Sequence, residues 1–346
     1  MSLKILQLGP YPPPEGGVSR NIAAIRDRLI DGGDRCNVIA TSRSSGSDAV
    51  DGIFRPGSPF ELIKLLRRVD HDVLHLHIGG EISTRVLALM FACTVFGRRR
   101  VLTIHSGNYP ESKAGRKASR YSIRGMILSR FDRLIAINDQ FEKLFERYGI
   151  ADNSVCKIVP FAPTLPDPTV AIPADIKNFA ASAGPLILSV GGMEQEYDPL
   201  FQIAAFGEVL KQKSDARLIM AGGGSMYDEV REVVDRCGYG DKIILAGNID
   251  HAVTLHLIAN ADALIRTTLY DGDAISVREA IFLNTPVIAT DNGMRPNGTI
   301  LFPQGDVAAF TAEVVSAVDS AAERTPPRSA DLSNIDKVIE LYRSLS

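Results

Sequence analysis

A chain of 346 residues is long enough for two domains, and a hydrophobic content of 45% with 23% charged residues excludes a disordered polymer. The longest apolar run, 86–96, is far short of the roughly 20 residues a spanning helix needs. The apolar run at 5–8 is too short for a signal-peptide core and has no small-residue cleavage site after it, so no targeting segment is expected. Cys36, Cys93, Cys156 and Cys237 are widely spaced, with no C-x-x-C pair. That spacing fits buried thiols in a reducing compartment and not a disulfide framework or a zinc site, so a cytoplasmic protein is expected.

The net charge of −3 hides an asymmetry: 24 Lys/Arg face 17 Asp/Glu up to residue 170, and 14 face 24 beyond it. The basic excess is concentrated in 98–130, which holds nine Lys/Arg and one acid, Glu111. Such a stretch suits an anionic membrane surface or a solvated basic helix. Nucleic acid is not expected, because only Tyr109 and Tyr121 offer aromatic faces there and the chain is acidic overall.

Short apolar runs alternate with amphipathic stretches. In chain order a strand at 4–8 leads to a helix at 19–31, then a strand at 37–40 and a helix at 59–69. A strand at 73–77, a helix at 86–96 and a strand at 101–105 follow. A helix at 119–129, a strand at 133–137, a helix at 140–148 and a strand at 157–159 complete the first half. Residues 161–184 break the pattern with a proline-dense linker. The second half reads as strands at 186–190, 217–221, 242–245, 263–266 and 287–289. Its helices are expected at 199–211, 226–237, 252–259, 275–283 and 306–319, with a closing amphipathic helix at 334–345. This alternation is that of mostly parallel sheets covered by helices on both faces. Ligands of such sheets sit at the carboxyl ends of strands, at the switch point.

Three segments could carry chemistry. Gly16 and Gly17 lie between the first strand and first helix, where bare backbone N–H groups can point at an anion, or where the chain merely turns. Neither the dinucleotide fingerprint nor the phosphate-loop pattern is present. His105 ends a strand, where an imidazole can bond a sugar hydroxyl or serve as a satisfied structural histidine. His75 and His77 share a strand face, but no acid or cysteine is spaced to complete a metal site with them. The third segment, 271–279, reads Asp-Gly-Asp-Ala-Ile-Ser-Val-Arg-Glu. It enters a helix, so the N–H groups of Asp273, Ala274, Ile275 and Ser276 suit a diphosphate. Glu279, one turn in, can accept both hydroxyls of a ribose, with Asp271 before the helix and near the sugar. Equally, Ser276 and Glu279 have the spacing of a capping box.

In order and spacing these segments resemble the retaining glycosyltransferases of family 4. The resemblance covers nearly the whole chain and includes Gly16-Gly17, Thr103-Ile-His105, Leu188-Ser-Val-Gly-Gly192, Ala221-Gly-Gly-Gly, 271–279 and Thr285-Pro-Val-Ile-Ala289. It implies an α/β, GT-B fold: two Rossmann-like, doubly wound domains facing across a cleft. The first would be 1–163 with the closing helix 332–346, on the acceptor side, and the second 164–331, binding the donor. The activity implied is metal-independent and cofactor-free transfer of a sugar, with retention, from a nucleotide-diphosphate sugar to a polysaccharide, lipid-linked or other glycan acceptor. By the same resemblance Asp271 and His105 stand nearest the reacting sugar. Gly17 and Glu279 are implied by the resemblance to bind the donor, and the reading of the residues adds Gly16, Arg266, Gly272, Asp273, Ala274, Ile275 and Ser276 to the expected donor site. The basic stretch 98–130 would touch the inner face of the membrane.

Two departures bear on the chemistry. Asp271 is one methylene shorter than the glutamate usual there. More seriously, Gly192 and Tyr197 stand where the family has an arginine and a lysine for the leaving diphosphate, in a loop that also carries Glu194, Glu196 and Asp198. Arg266, Arg20 and Arg295 are the candidate replacements, with Arg278 one residue off the Glu279 face. A catalytically weakened homologue acting as a binding or scaffold protein, or a sugar-nucleotide epimerase of the same fold, are the alternatives.

Overall fold

In the computed structural model the described residues are 2–12, 16–42, 51–106, 109–161, 163–269, 274–321 and 324–346. They divide into two compact units, Met1–Ala162 with Asp331–Ser346, and Pro163–Ala330.

Unit 1 runs β1 (Lys4–Gly9), α1 (Gly17–Asp31), β2 (Arg35–Ala40), β3 (Ile53–Phe54), α2 (Pro59–Arg68), β4 (Val73–Ile78) and α3 (Thr84–Phe96). It continues with β5 (Arg99–Ile104), α4 (Lys113–Arg116), α5 (Ile123–Leu128), β6 (Arg133–Ala136), α6 (Asp139–Arg147) and β7 (Val155–Lys157). Its described strands form one parallel sheet in the order β3-β2-β1-β4-β5-β6-β7. The order reverses direction between β1 and β4, which is the switch point.

Unit 2 opens with α7 (Ala174–Ala180) and runs β8 (Leu186–Val190), α8 (Pro199–Gln212), β9 (Arg217–Ala221), α9 (Tyr227–Arg236), β10 (Ile243–Gly247) and α10 (His251–Asn260). Then come β11 (Ala263–Arg266), α11 (Ile275–Phe282), β12 (Val287–Thr290), β13 (Ile300–Phe302) and α12 (Val307–Ser320). Its described strands are again all parallel, in the order β10-β9-β8-β11-β12-β13, with the switch point between β8 and β11. The last helix, α13 (Ser333–Arg343), returns to unit 1.

Each sheet is buried on both faces, which is why its strands read as unbroken apolar runs. In unit 1 one face (Leu6, Leu8, Leu74, Leu76, Leu102 and Leu134) packs on Met90 and Cys93 of α3 and on Phe141, Leu144 and Phe145 of α6. The opposite face (Ile5, Val73, Val101 and Ile135) packs on Ile25 and Leu29 of α1 and on Ile335, Val338, Ile339 and Tyr342 of α13. Burying each such aliphatic side chain stabilises by about 1.5–3 kcal/mol, so α13 is an integral layer of unit 1. Cys36 and Cys93 are buried thiols whose pKa burial pushes up to about 12.

The structure departs from the sequence expectation in several elements. The expected helix 119–129 begins only at Ile123: the Ser122 hydroxyl accepts the Gly125 N–H and caps α5 there. The basic stretch is therefore no single helix; it spans β5, α4 and α5. Within the region taken as linker, α7 forms because Ile176 buries in the unit 2 core. The edge strands β3 and β13 escaped notice because two or three residues carry no periodicity.

Candidate functional site

The unit 2 switch point is assembled from two loops. Strand β8 ends at Val190 and passes into Gly191 and Gly192; β11 ends at Arg266 and passes into Thr267 and Thr268. Arg266 is buried, its guanidinium donates to the Val190 carbonyl, and its Cζ lies 4.7 Å from the centre of the Tyr197 ring. Gly191 makes this possible, because a Cβ there would lie 2.6 Å from both Arg266 Nη1 and Tyr197 Cδ1. The neighbouring turn is as tight: Gly222 has φ +140°, and a Cβ on it would lie 1.8 Å from the Gly191 carbonyl.

Hydrogen bonds latch the Tyr197 loop onto the β11 loop. The Thr267 hydroxyl donates to the Tyr197 carbonyl at 2.6 Å, the Leu269 N–H donates to the Glu196 carbonyl at 2.8 Å, and Gln202 Nε2 donates to the Thr267 hydroxyl at 2.7 Å. Asp198 follows in the left-handed region at φ 50°, a conformation that non-glycine residues take at a cost of about 1–2 kcal/mol, and burial pushes its carboxyl pKa up. Glu194 turns the other way and accepts from the N–H and hydroxyl of Ser225, which hold its carboxyl below the usual range. Of the loop's acids Glu194 is thus engaged by Ser225, while Tyr197 lies against a cation.

Arg295 braces the same edge. Its Nε donates to the Thr290 carbonyl at 3.0 Å and Nη2 to the Thr268 carbonyl at 2.9 Å, so it joins the ends of β11 and β12. The Thr268 hydroxyl is buried and unpartnered among the described residues. Asp271, Gly272 and Asp273 lie outside the described residues.

Helix α11 begins at Ile275 with Ala274 as its N-cap, a residue with no side-chain acceptor for its first turn. Ser276 is thus the second helical residue, and the capping-box alternative is overturned. Glu279 is 6% exposed and bonds a partner from another helix instead: its Oε1 lies 2.5 Å from Nε2 of His251, the first residue of α10. A carboxylate held buried by one imidazole is fixed in orientation, as a residue that receives a polar ligand must be. His251 was not foreseen. It lies 28 positions before Glu279, and only the packing of α10 on α11 brings the pair together.

The remaining predicted residues lie in unit 1. Gly16 is the N-cap of α1 with extended backbone, and Gly17 is its first helical residue. The helix thus starts two residues earlier than expected. Ser19 donates its hydroxyl to the Gly16 carbonyl at 2.9 Å, and the N–H of Arg20 donates to the same carbonyl. His105 follows the end of β5, and its Nε2 lies 3.1 Å from Nδ1 of His77, with the two rings stacked 5.4 Å apart. His77 in turn packs on His75 at 3.8 Å, and His75 bonds the Tyr342 hydroxyl at 2.5 Å and the Thr103 hydroxyl at 2.8 Å. Burial keeps all three imidazoles uncharged and brings the pKa of His105 down to about 3. Among the described residues no group of three His, Cys, Asp or Glu is placed to hold a metal ion.

Two family models cover most of the chain: "Glycosyltransferase Family 4" matches residues 15–160 and "Glycosyl transferases group 1" matches residues 174–324. The chain belongs to the group 1, family 4 glycosyltransferases. This glycosyltransferase is 23% identical over 303 residues to 2-deoxystreptamine N-acetyl-D-glucosaminyltransferase of Streptomyces fradiae, covering 79% of the chain and 70% of that protein. It is 25% identical over 146 residues to alpha-monoglucosyldiacylglycerol synthase of Streptococcus pneumoniae, covering 40% of the chain but only 33% of that relative. In fold it is similar to Anabaena HepE, solved in complex with UDP and glucose, with a TM-score of 0.70, 15% identity and 99% of each chain covered. The fold of the glycosyltransferase is therefore GT-B.

Proposed function

We propose that the chain transfers a sugar from a nucleotide-diphosphate sugar to a hydroxyl of a glycan or lipid-linked acceptor, with retention at the anomeric carbon and without a metal or other cofactor. The observation that carries this is the unit 2 switch point, where a buried arginine, a helix N-terminus with alanine as its N-cap and a buried acid sit on consecutive elements. In this assignment Glu279 takes the ribose hydroxyls, and the N–H groups at the start of α11 take the diphosphate together with Arg266. As the bond from the anomeric carbon to the phosphate oxygen breaks, negative charge builds on the diphosphate. The acceptor oxygen bonds the same carbon and its proton passes to the departing phosphate. The protein's task is then to position the donor and stabilise the leaving charge. Arg266, stacked on Tyr197, supplies from β11 the positive charge that Gly192 and Tyr197 do not. The name of the Anabaena neighbour's ligand, UDP, supports a uridine donor as the first to try.

The test is a thermal-shift panel of UDP-glucose, UDP-N-acetylglucosamine, GDP-mannose and ADP-glucose. At least one should raise the melting temperature, and Glu279→Ala should abolish the rise. No shift with any of them would count against the donor site.

The acceptor side is proposed to work at an anionic membrane. No helix among the described residues is long and apolar enough to cross a bilayer, but α3 and α5, which pack together, expose Phe91, Val95, Ile123 and Met126 beside Tyr121. Arg130 lies over the Phe91 ring and Arg120 over the Tyr121 ring, so apolar and cationic groups share one surface. Not all nine basic residues are available for it: Arg100 is paired with Asp132 at 2.9 Å, and Arg124 donates to the Ile82 carbonyl. A relative named for making a glucosylated diacylglycerol supports a lipid acceptor. Replacing Arg116, Lys117 and Arg120 by Gln should weaken binding to phosphatidylglycerol vesicles by about 1 kcal/mol per residue; unchanged co-sedimentation would remove the membrane contact.

A further inference from the structure

The imidazole row of unit 1 contains an omission. His77 is 3% exposed; its Nδ1 faces Nε2 of His105, and its own Nε2 is buried with no hydrogen-bond partner among the described residues. One neutral imidazole carries one proton, so the 3.1 Å contact admits only two arrangements. If His105 donated from Nε2, His77 would accept at Nδ1, and its proton would sit on Nε2 as a buried N–H aimed at no acceptor. An orphaned buried donor is the rarer omission in folded proteins. If His77 donates from Nδ1, its Nε2 is a bare lone pair, and the remaining proton sits on Nδ1 of the half-buried His105, which is not among the buried unpartnered atoms.

We infer that His77 is a positioning residue that donates from Nδ1 to His105 Nε2 and so locks His105 as the Nδ1–H tautomer, presenting an N–H donor at its other nitrogen. That nitrogen has no hydrogen-bond partner among the described residues. The rest of the row holds His77 in place. The Tyr342 hydroxyl of α13 bonds His75 Nδ1, His75 Nε2 bonds Thr103, and the His75 ring lies against that of His77. Burial of the row, which contains no carboxylate, keeps His105 uncharged and supports a neutral donor.

The consequence is chemical. An Nδ1–H imidazole whose Nε2 is already occupied recognises an oxygen lone pair and cannot remove a proton from a hydroxyl. His105 would therefore orient a sugar oxygen and not act as a general base. The tautomer follows from unit 1 alone; only its use on a sugar rests on the glycosyl-transfer proposal above.

The experiment is long-range proton–nitrogen correlation on the full chain labelled with 15N-histidine. His105 is assigned by the resonances lost in His105→Asn. In the native protein His105 should show the Nδ1-protonated pattern. It should move toward the Nε2-protonated form in His77→Phe, which keeps the stacked ring but has no donor. His77→Asn, whose side-chain amide can place an N–H where Nδ1 was, should restore the native pattern. An Nε2-protonated His105 in the native protein overturns the inference, and this outcome needs no variant to fold. An unchanged pattern in a folded His77→Phe overturns it equally. For the member of the nucleotide-sugar panel that binds, KM should rise about tenfold in His77→Phe and recover in His77→Asn, the size expected for one lost hydrogen bond. An Nδ1–H tautomer with unchanged KM removes the sugar contact. An Nδ1–H tautomer in a protein that binds no nucleotide sugar leaves the lock standing and defeats the glycosyl-transfer proposal instead.

Discussion

At the carboxyl edge of the unit 1 sheet lie stacked, uncharged imidazoles, His75 and His77 buried and His105 half-buried. At the matching edge of unit 2 lie two arginines and an acid–imidazole pair: Arg266 on Tyr197, Arg295 across two loops, and Glu279 on His251. Both edges are switch points of parallel sheets, so topology alone would make them equivalent. On the function proposed above, their side chains would suit one to a neutral hydrogen-bonded ligand and the other to an anion. Fold supplies the location, and a handful of residues decides its chemistry.

The contrast can be broken most sharply at Arg266. Arg266→Ala should lower kcat by 10²–10³, the order of magnitude found when a preorganised group facing a developing charge is removed. Arg266→Lys should fall between, because an ammonium keeps the charge and loses the planar stack. If Arg266→Ala melts normally and turns over normally, the diphosphate is neutralised elsewhere.

The neutral edge is tested with acid. His75, His77 and His105 have folded pKa values below the ordinary 6.5, so the unfolded chain takes up protons first as pH falls. Their contribution is fully present above about pH 6.5 and is lost progressively below it, by about 1.4 kcal/mol per pH unit for each group that titrates only when unfolded. Melting curves should show unit 1 destabilised between about pH 7 and pH 5, and His77→Phe should shallow that slope. A flat profile would mean the row is not held neutral.

Tyr197 gives the smallest effect. Its hydroxyl is not needed to lie against a guanidinium, so Tyr197→Phe should be nearly silent. Tyr197→Leu forfeits a cation–π contact of roughly 0.5–2 kcal/mol and should reduce turnover several-fold. A large loss in Tyr197→Phe would point to a direct hydroxyl contact with the donor.

Much of this was legible beforehand, for identifiable reasons. The alternation of strands and helices is a local pattern, and it located Arg266 at a strand end and Glu279 one turn inside its helix. What was not legible depends on which helices meet. The Glu279 partner, His251, shares no motif with it, and the capping box that the spacing of Ser276 and Glu279 invited did not form because the helix begins two residues earlier than such a box requires. The imidazole row needed three separate facts: the β4–β5 register, the stacking across it, and a tyrosine more than 260 positions away in sequence, at the 267-residue separation of His75 and Tyr342. Tyr197 read as a missing lysine, and only the structure shows it lying on an arginine.

The return of α13 to the first sheet sets an order of assembly. As the chain emerges from a ribosome, the strands of unit 1 are made before unit 2, yet the layer carrying Ile335, Val338, Ile339 and Tyr342 is made after it. Until then that face of the sheet is covered only in part, by Ile25 and Leu29 of α1, while the whole of unit 2 is synthesised. Unit 2 is contiguous and can close on its own contacts, whereas unit 1 must wait. The imidazole row, which ends on Tyr342, is therefore completed only when the final helix docks.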